Sequence, residues 1–544
     1  MARTRIAMML PGAVSLGAYE GGALAAILAA VQAAKGELAV DAVASASAGS
    51  ITAVVASRAL LCGADPFKLM AATWVDTPSL ANLGTHDPNS PLSMERLQDS
   101  AKDLLGTTTV PDGDADVYRQ DVAVRLSMAL TSLGGMAYRI ATLRDTDGER
   151  KALPLLAKTN LDWFSTTFDP GAGADQFLAA VDGALTSGAT PVGFPPRLLD
   201  RSASHAEYEA RGVVHPTGDW HAWYSDGGDI DNEPFGRVLD LIEETPTDPA
   251  DERIIVLLQT EPPDAGRNPK WFDPDPAHTP TWTSTLLRVN HIQKGQNYYD
   301  DLRRLEKTNS RLAWVDLVAE KIDGLLAELV GKISEDQRAE AEQRISAVLA
   351  DAGAAIAADQ QAVREATATA QPVATATARP AAAPAAEPAG TASAEPAATP
   401  PAEPASCLPV LHQATGLHGK RQVVVEIISP DIDGVRPAAE KLAGEFLLHF
   451  GGFLDIRFRQ SDFDLGARNA MAWLESWLPD RVSQPDAVLT AVAAGFASRP
   501  WKTVEEGDAS VAKLSVREKL QLAGLVAHIL HVVEHGLRRD IGQG

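Results

Sequence analysis

Ser47, in the run DAVASASAGS at residues 41–50, has the setting of a nucleophile. A short apolar run, Val40 to Ala44, leads into Ser-Ala-Ser-Ala-Gly, and an alanine-rich helical pattern follows at once. Strand, tight turn and helix make a nucleophile elbow, whose usual form is G-x-S-x-G. Here Ser45 stands at the first glycine position, Ser47 at the nucleophile and Gly49 at the second glycine. Small residues are needed because the strand and helix backbones come close. The serine is held in a strained conformation at the helix N-terminus, where partial positive charge favours a developing anion. Serine hydrolysis also needs a base and oxyanion donors. The base candidate is Asp226, followed by Gly227 and Gly228, which let the backbone approach another element closely. The donor candidates are the backbone amides of Gly12, Ala13 and Val14, with that of Ala48. Each signal has an ordinary alternative: a serine-rich helix cap, a turn aspartate, a tight strand-to-helix turn. A dinucleotide fingerprint is not met, since residues 12–17 read GAVSLG.

The elements that must position these residues are legible in outline. Arg5–Leu10 reads as a buried strand, followed by a glycine-rich loop and a helix from Ala18. Leu24, Ile27, Leu28 and Val31 give that helix one apolar face. Strand–helix–strand–helix in the first 60 residues predicts a parallel sheet with right-handed crossovers. The loop at 11–17 and the turn at 45–49 leave their strands at the carboxyl end, where such sheets bind ligands. Ser90-Pro91 reads as the start of a helix through Leu105, and 122–143 as a hairpin turning at Gly134-Gly135. A helix over 174–187, a helix Phe235–Glu243 and a strand Arg253–Gln259 follow. The domains expected are a hydrolase core over 1–265, a helical extension over 266–351, an Ala/Pro-rich disordered linker or insertion over 352–406, and an α-rich region with one strand over 407–544, packed on the core.

Composition narrows the class. The chain has 544 residues and a net charge of −24, which argues against nucleic acid and against charge-driven adhesion to anionic lipid. A membrane contact would need a local apolar or basic patch. Cys62 and Cys407 give no disulfide framework. No signal peptide and no run approaching the ~20 apolar residues of a membrane span is read. The expectation is a soluble, cytoplasmic protein, peripheral at a membrane at most. Other candidates weigh less. His215 and His221 near Asp226 offer a rival triad. His528, His531 and His535 share one helix face with Glu534, but H-E-x-x-H is absent. Asp226, Asp229, Asp231 and Glu233 read as a solvated turn rather than a cation loop. Trp271, Trp282 and Trp314 either flank a lipid entrance or pack. No cofactor or metal is expected.

Taken together, PGAVSLGAYEGGAL, SASAGS, ALTSGATPVGFPP and SDGGDIDNEP, in this order across residues 5–260, resemble the patatin-like phospholipase family. The resemblance implies a three-layer α/β/α sandwich on a mainly parallel sheet, here with helical additions. It implies a lipid acyl hydrolase acting on a lipid ester or phospholipid. It also implies a Ser–Asp dyad of Ser47 and Asp226 without histidine, and an oxyanion hole at Gly12, Ala13 and Val14. Two positions depart: Ser45 replaces the first elbow glycine, and Leu16 stands where a basic residue is usual. FGGFLDIRFRQSDFDLGARN, at 450–469, looks like the C-terminal region of some larger bacterial members. The alternative reading is a lipid-binding or scaffold protein with a vestigial site; a second is an esterase with a histidine base.

Overall fold

Two apolar runs, TRIAMML and LAVDAVAS, are buried almost throughout and form the central strands of a sheet. The computed structural model describes residues 3–106, 118–260, 281–369, 406–415, 422–430 and 442–543, apart from 86, 147–148, 192, 215–218, 246–247, 249, 333, 448 and 505–507. The strands are β1 (Thr4–Leu10), β2 (Leu38–Ser45), β3 (Val124–Thr146), β4 (Glu149–Phe168), β5 (Arg197–Asp200), β6 (His221–Asp226), β7 (Glu252–Leu258) and β8 (Val424–Ile428). They form one eight-stranded sheet in the order β5-β6-β3-β2-β1-β7-β8, with β4 paired to β3. Strands β3, β2, β1, β7 and β8 are mutually parallel, and β6 runs antiparallel to β3 and β5.

The helices are α1 (Gly17–Ala33), α2 (Ala48–Cys62), α3 (Pro66–Ala71), α4 (Leu80–Leu83), α5 (Glu95–Gly106), α6 (Ala174–Ser187), α7 (His205–Ala210), α8 (Phe235–Glu244), α9 (Trp282–Gly331), α10 (Glu335–Thr369), α11 (Leu408–Ala414), α12 (Ile456–Trp477), α13 (Pro485–Ala497) and α14 (Val516–Gln543). The chain divides into two compact units. The first comprises Met1–Met136, Lys158–Arg304 and Val423–Gly544 and contains the sheet, the elbow and Asp226. The second comprises Ala137–Ala157 and Leu305–Gln422. Within it α11 packs Leu408 and Leu411 on Leu312 and Val315 of α9, and Asp323 accepts from the Cys407 N–H at 2.9 Å.

Helix α1 is the centre of the first unit. Together with the turn before it, Val14–Ala33 is long and apolar enough to cross a membrane, contrary to the expectation that no such run exists. It lies almost wholly inside the protein, against the sheet on one side and α12 on the other, so burial accounts for its composition. The approach of α1 and α12 is set by glycines. A Cβ on Gly22 would fall 2.0 Å from the Phe463 carbonyl oxygen, and one on Gly466 2.0 Å from that of Tyr19.

Three local expectations change. Strand β3 runs straight through Gly134-Gly135, because strand-forming residues continue on both sides; Gly135 takes φ +72° without reversing the chain. Strand β3 ends at Thr146 and β4 begins at Glu149; 147–148 lie outside the described residues. Ser90 caps no helix: its hydroxyl donates to the Leu92 carbonyl at 2.6 Å, and α5 starts at Glu95, whose N–H bonds the Ser93 hydroxyl at 3.2 Å. Helix α10 continues to Thr369, since alanine is the strongest helix former and the first proline beyond it is Pro372. The rest of the Ala/Pro segment, 370–405, lies outside the described residues.

Candidate active site

The elbow forms as its small residues require. Ser47 sits between β2 and α2 at φ 49° and ψ −124°, a strained conformation for a residue with a side chain. Gly49 allows the close crossing: a Cβ there would fall 2.4 Å from the Leu10 carbonyl oxygen. The Ala46 N–H bonds that same carbonyl at 3.0 Å, and the Gly49 N–H bonds the Pro11 carbonyl at 3.2 Å, so β1 and the elbow are tied together. Ser45 fits because its hydroxyl has work in the interior. It lies 3.0 Å from Ser50 Oγ, Ser50 Oγ donates to Ser187 Oγ at 2.9 Å, and Ser187 Oγ donates to the Ala129 carbonyl at 2.7 Å. The Ser47 N–H donates to Ser187 Oγ at 2.9 Å. A buried relay of hydroxyls therefore holds the strained residue by its backbone.

Asp226 arrives from the opposite side, at the end of β6. Ser47 Oγ donates to Asp226 Oδ2 at 2.7 Å, and the Gly228 N–H donates to Oδ1 at 2.7 Å. Both residues are buried. The Asp226 backbone is fixed by its N–H on the Ala189 carbonyl at 3.1 Å and by the Thr131 hydroxyl on its carbonyl at 2.7 Å. Gly227 is obligatory: a Cβ would fall 2.0 Å from the Ala129 carbonyl oxygen. Gly228 gives room to Asn232, whose Oδ1 would lie 2.4 Å from an added Cβ. Two residues up β6, the Tyr224 hydroxyl donates to the buried Asp162 at 3.0 Å, which anchors the strand from behind.

The loop of Gly12, Ala13 and Val14 lies beside the elbow, but its three amides differ. The Gly12 N–H bonds the Asn232 carbonyl at 3.0 Å and Asn232 Nδ2 returns a bond to the Gly12 carbonyl at 3.1 Å, so this amide is occupied. A Cβ on Gly12 would fall 2.9 Å from Ser47 Cβ. Val14 takes φ +52°, an expensive conformation for a β-branched residue. Among the described residues the Ala13 and Val14 N–H groups have no protein acceptor. The next residue is gripped from the C-terminal region. The Ser15 N–H bonds the His449 carbonyl at 3.1 Å, its hydroxyl donates to the same carbonyl, and the Gly452 N–H donates to Ser15 Oγ at 3.0 Å. Leu16 is buried with Trp74 and Leu442. An arginine or lysine there would have to bury its charge in an apolar cluster.

The motif at 450–469 supplies this grip. Arg459 donates to the Gly452 carbonyl at 2.6 Å and to the Val75 carbonyl at 2.9 Å. Asp462 accepts from the Ala443 and Gly444 N–H groups at 2.7 and 2.9 Å, although burial pushes its carboxyl up to about 7. Val75 belongs to a π-helical turn, Ala72–Asp76, which presents Thr73 and Trp74 to an apolar groove. That groove begins at Ser47 and Val14 and runs between α2, α5 and α6 past Ile51, Leu104, Val181 and Phe194.

The remaining candidates stand apart. His221 is exposed at the start of β6, 3.8 Å from Asp200, and His215 lies outside the described residues. His528 Nε2 lies 3.0 Å from the Ser90 carbonyl, and among the described residues no three His, Cys, Asp or Glu side chains could hold a metal. Asp231 is not in a solvated turn: it is buried, its Oδ1 lacks a partner among the described residues, and burial beside Asp301 raises its carboxyl to about 7. Cys62 and Cys407 are both free thiols. Trp314 is exposed; Trp271 and the Trp282 side chain lie outside the described residues. Ser15, Ser187 and Asn232 lie within the quoted motifs, but the sequence assigns them no role, because only the fold brings them to the dyad.

A hydroxyl 2.7 Å from a buried carboxylate, at a helix N-terminus and with two unengaged amides nearby, can do nucleophilic chemistry at a carbonyl. No curated protein matches the chain. Among solved structures the chain is similar to VipD from Legionella pneumophila, at 14% identity and a TM-score of 0.20, over 47% of this chain and 50% of that one. The chain thus spans about half the length of that protein. The family model "Patatin-like phospholipase" matches residues 8–239, an interval that contains both Ser47 and Asp226. With their mostly parallel sheet between helices, residues 8–239 are thus similar to the patatin-like phospholipase family.

Proposed function

We propose that the protein is a serine lipid acyl hydrolase, a carboxylic ester hydrolase that uses Ser47 as nucleophile and Asp226 as base. The observation that carries the reading is the 2.7 Å bond from Ser47 Oγ to Asp226 Oδ2 in a buried site. In the first step Ser47 Oγ attacks the ester carbonyl and its proton passes to Asp226. The oxyanion that forms takes hydrogen bonds from the Ala13 and Val14 amides, and the Ala48 amide at the start of α2 faces the same helix end. Collapse expels the alcohol, which takes the proton from Asp226 and leaves an acyl-Ser47. Water, deprotonated by Asp226, then releases the fatty acid and restores Ser47. The apolar groove that begins at Ser47 receives the acyl chain. The enzyme acts from the cytoplasm with transient contact at a lipid surface; its two free thiols suit a reducing compartment.

The test is covalent labelling by a long-chain fluorophosphonate together with hydrolysis of a long-chain p-nitrophenyl ester. The wild type should label once, at Ser47, and hydrolyse the ester. Ser47→Ala should do neither, and Asp226→Asn should lose at least 100-fold in both. A folded wild type that neither labels nor turns over would refute the reading and favour a lipid-binding protein with a vestigial site. An activity that survives in Asp226→Asn and disappears in His221→Ala would favour a histidine base.

A further inference from the structure

Helix α14 lies on the first unit with one face turned in and one turned out. Leu522 and Leu525 pack on the core, and His528 Nε2 lies 3.0 Å from the Ser90 carbonyl, so the rotation of the helix about its own axis is fixed. The outward face is not the polar one that a surface helix ordinarily presents. Val516, Leu520, Val526, Leu530 and Val533 are all exposed there, Leu520 at 68% and Leu530 at 65%. Most of them fall in one seam. Val516, Leu520, Ala523, Ala527, Leu530 and Glu534 follow one another at intervals of four, three, four, three and four residues, and all six are exposed. Alternating steps of four and three keep a narrow stripe on one side of a helix, which is the pattern that faces a second helix in a coiled coil. The seam is about 27 Å long. It lies outside the interval that the family model matches.

The order of the seam is a palindrome centred on Leu525. The intervals read the same from Val516 forward as from Glu534 back, and from either end a leucine precedes an alanine. A second copy of the helix running antiparallel therefore pairs Leu520 with Leu530, Ala523 with Ala527 and Val516 with Glu534, each pair occurring twice. That self-matching is what an interface across a two-fold axis needs. The alanines let the helices approach at the middle, the leucines close both ends, and Val526 beside the seam meets its own copy at the axis. Charge selects the same orientation. Antiparallel pairing sets Arg517 beside Glu534 of the partner subunit at both ends, whereas parallel pairing would set Arg517 on Arg517 and Glu534 on Glu534. Arg538, one turn beyond Glu534 and bridged to it, helps to neutralise that carboxylate. We propose that the exposed face of α14 is a homodimer interface, an antiparallel two-helix coiled coil formed with a second copy of the chain. A lipid surface suits the face less well. The chain carries a net charge of −24, α14 has no Trp, Tyr or Phe, and the seam has alanine at its centre and glutamate at its end.

The test is the mass of the full-length chain in solution, which needs no catalytic activity. Sedimentation equilibrium at about 50 μM should give twice the 57.5 kDa of one chain. Leu520→Glu and Leu530→Glu change exposed side chains and should keep the wild-type circular dichroism and thermal midpoint. Each should raise the dissociation constant of the dimer at least 100-fold. Arg517→Glu and Glu534→Arg should each weaken the dimer about fivefold, and the two together should recover it. Orientation is read by oxidative cross-linking. A mixture of Leu520→Cys and Leu530→Cys proteins should give a disulfide-linked dimer, and either protein alone should give little. A monomeric wild type would overturn the proposal, and binding of that monomer to phosphatidylglycerol vesicles, lost in Leu520→Glu, would assign the face to lipid instead. A dimer that Leu520→Glu leaves intact, or cross-links that form in the single proteins rather than in the mixture, would also overturn it.

Discussion

Ser187→Ala removes one hydroxyl and three hydrogen bonds: that accepted from the Ser47 N–H, that accepted from Ser50 Oγ, and that donated to the Ala129 carbonyl. No water can replace them freely, because Ser45, Ser50 and Ser187 are all buried. A buried donor left without a partner costs about 1–3 kcal/mol. The Ser47 N–H takes most of that loss; the freed Ser50 hydroxyl can turn to Ser45. The expected destabilisation is about 2–3 kcal/mol. The effect on reactivity follows from the strain. A serine at φ 49° gains on the order of 1–3 kcal/mol by relaxing, and Ser187 is what grips its N–H. If about 2 kcal/mol of that is released before attack, the nucleophile reacts about 30-fold more slowly. The assay is the second-order rate of fluorophosphonate labelling, read with the thermal midpoint. Ser45→Gly is the comparison: its hydroxyl touches Ser50 and not the Ser47 backbone, so it should cost about threefold at most in labelling. Labelling of Ser187→Ala within twofold of wild type, or an equal loss in Ser45→Gly, would refute the relay as the device that holds Ser47.

Further outcomes follow from the packing around the site. Ser15→Ala deletes the acceptor of the Gly452 N–H; labelling should slow about tenfold through displacement of the Ala13–Val14 amides, and Ser15→Thr should recover part of the rate. Gly466→Ala places a Cβ about 2.0 Å from the Tyr19 carbonyl and should destabilise the first unit by about 3 kcal/mol, read as a lower thermal midpoint. Asp231, raised from 3.8 to about 7, binds a proton more tightly folded than unfolded. Its stability contribution is therefore complete below about pH 4 and is lost as pH rises through 7, up to about 4 kcal/mol in total. The wild-type midpoint should fall between pH 5.5 and 8 relative to Asp231→Asn, which has no proton to lose, and parallel pH profiles would contradict this.

The parts of the site legible in the sequence are those whose requirements are local. Gly49 and Gly227 mark close backbone crossings, against Leu10 and Ala129, and such crossings leave glycine at a fixed offset from the reactive residue. The strands β1, β2 and β7 were equally clear, because full burial on both faces demands continuous apolar runs. Partners brought by the fold left no such mark. Asn232 engages the Gly12 amide from 220 residues away, and nothing at either position announces the pairing. Gly134-Gly135 misled, since a glycine pair suits a turn as well as an irregular point in a long strand. Asp231 misled in the opposite sense: its neighbours are polar, and only the packing of Asp301 from α9 shows that it is buried.

Leu16 joins these observations. By sequence it is a departure, an apolar residue in a loop where a positive charge is usual. In the fold it is covered by Leu442 and Trp74, and Ser15 beside it is clamped by His449 and Gly452. Apart from Trp74, the covering and clamping residues lie within one segment that ends in the FGGFLDIRFRQSDFDLGARN motif, fixed in turn by Arg459 and Asp462. The same segment lends Phe453 to the catalytic groove, and its Arg459 bonds the π-helical turn that carries Trp74. A loop with a valine at φ +52° cannot hold that shape by its own preferences. The strain in the N-terminal domain is therefore balanced by packing some 440 residues later in the chain, and the two regions have to be read as one site.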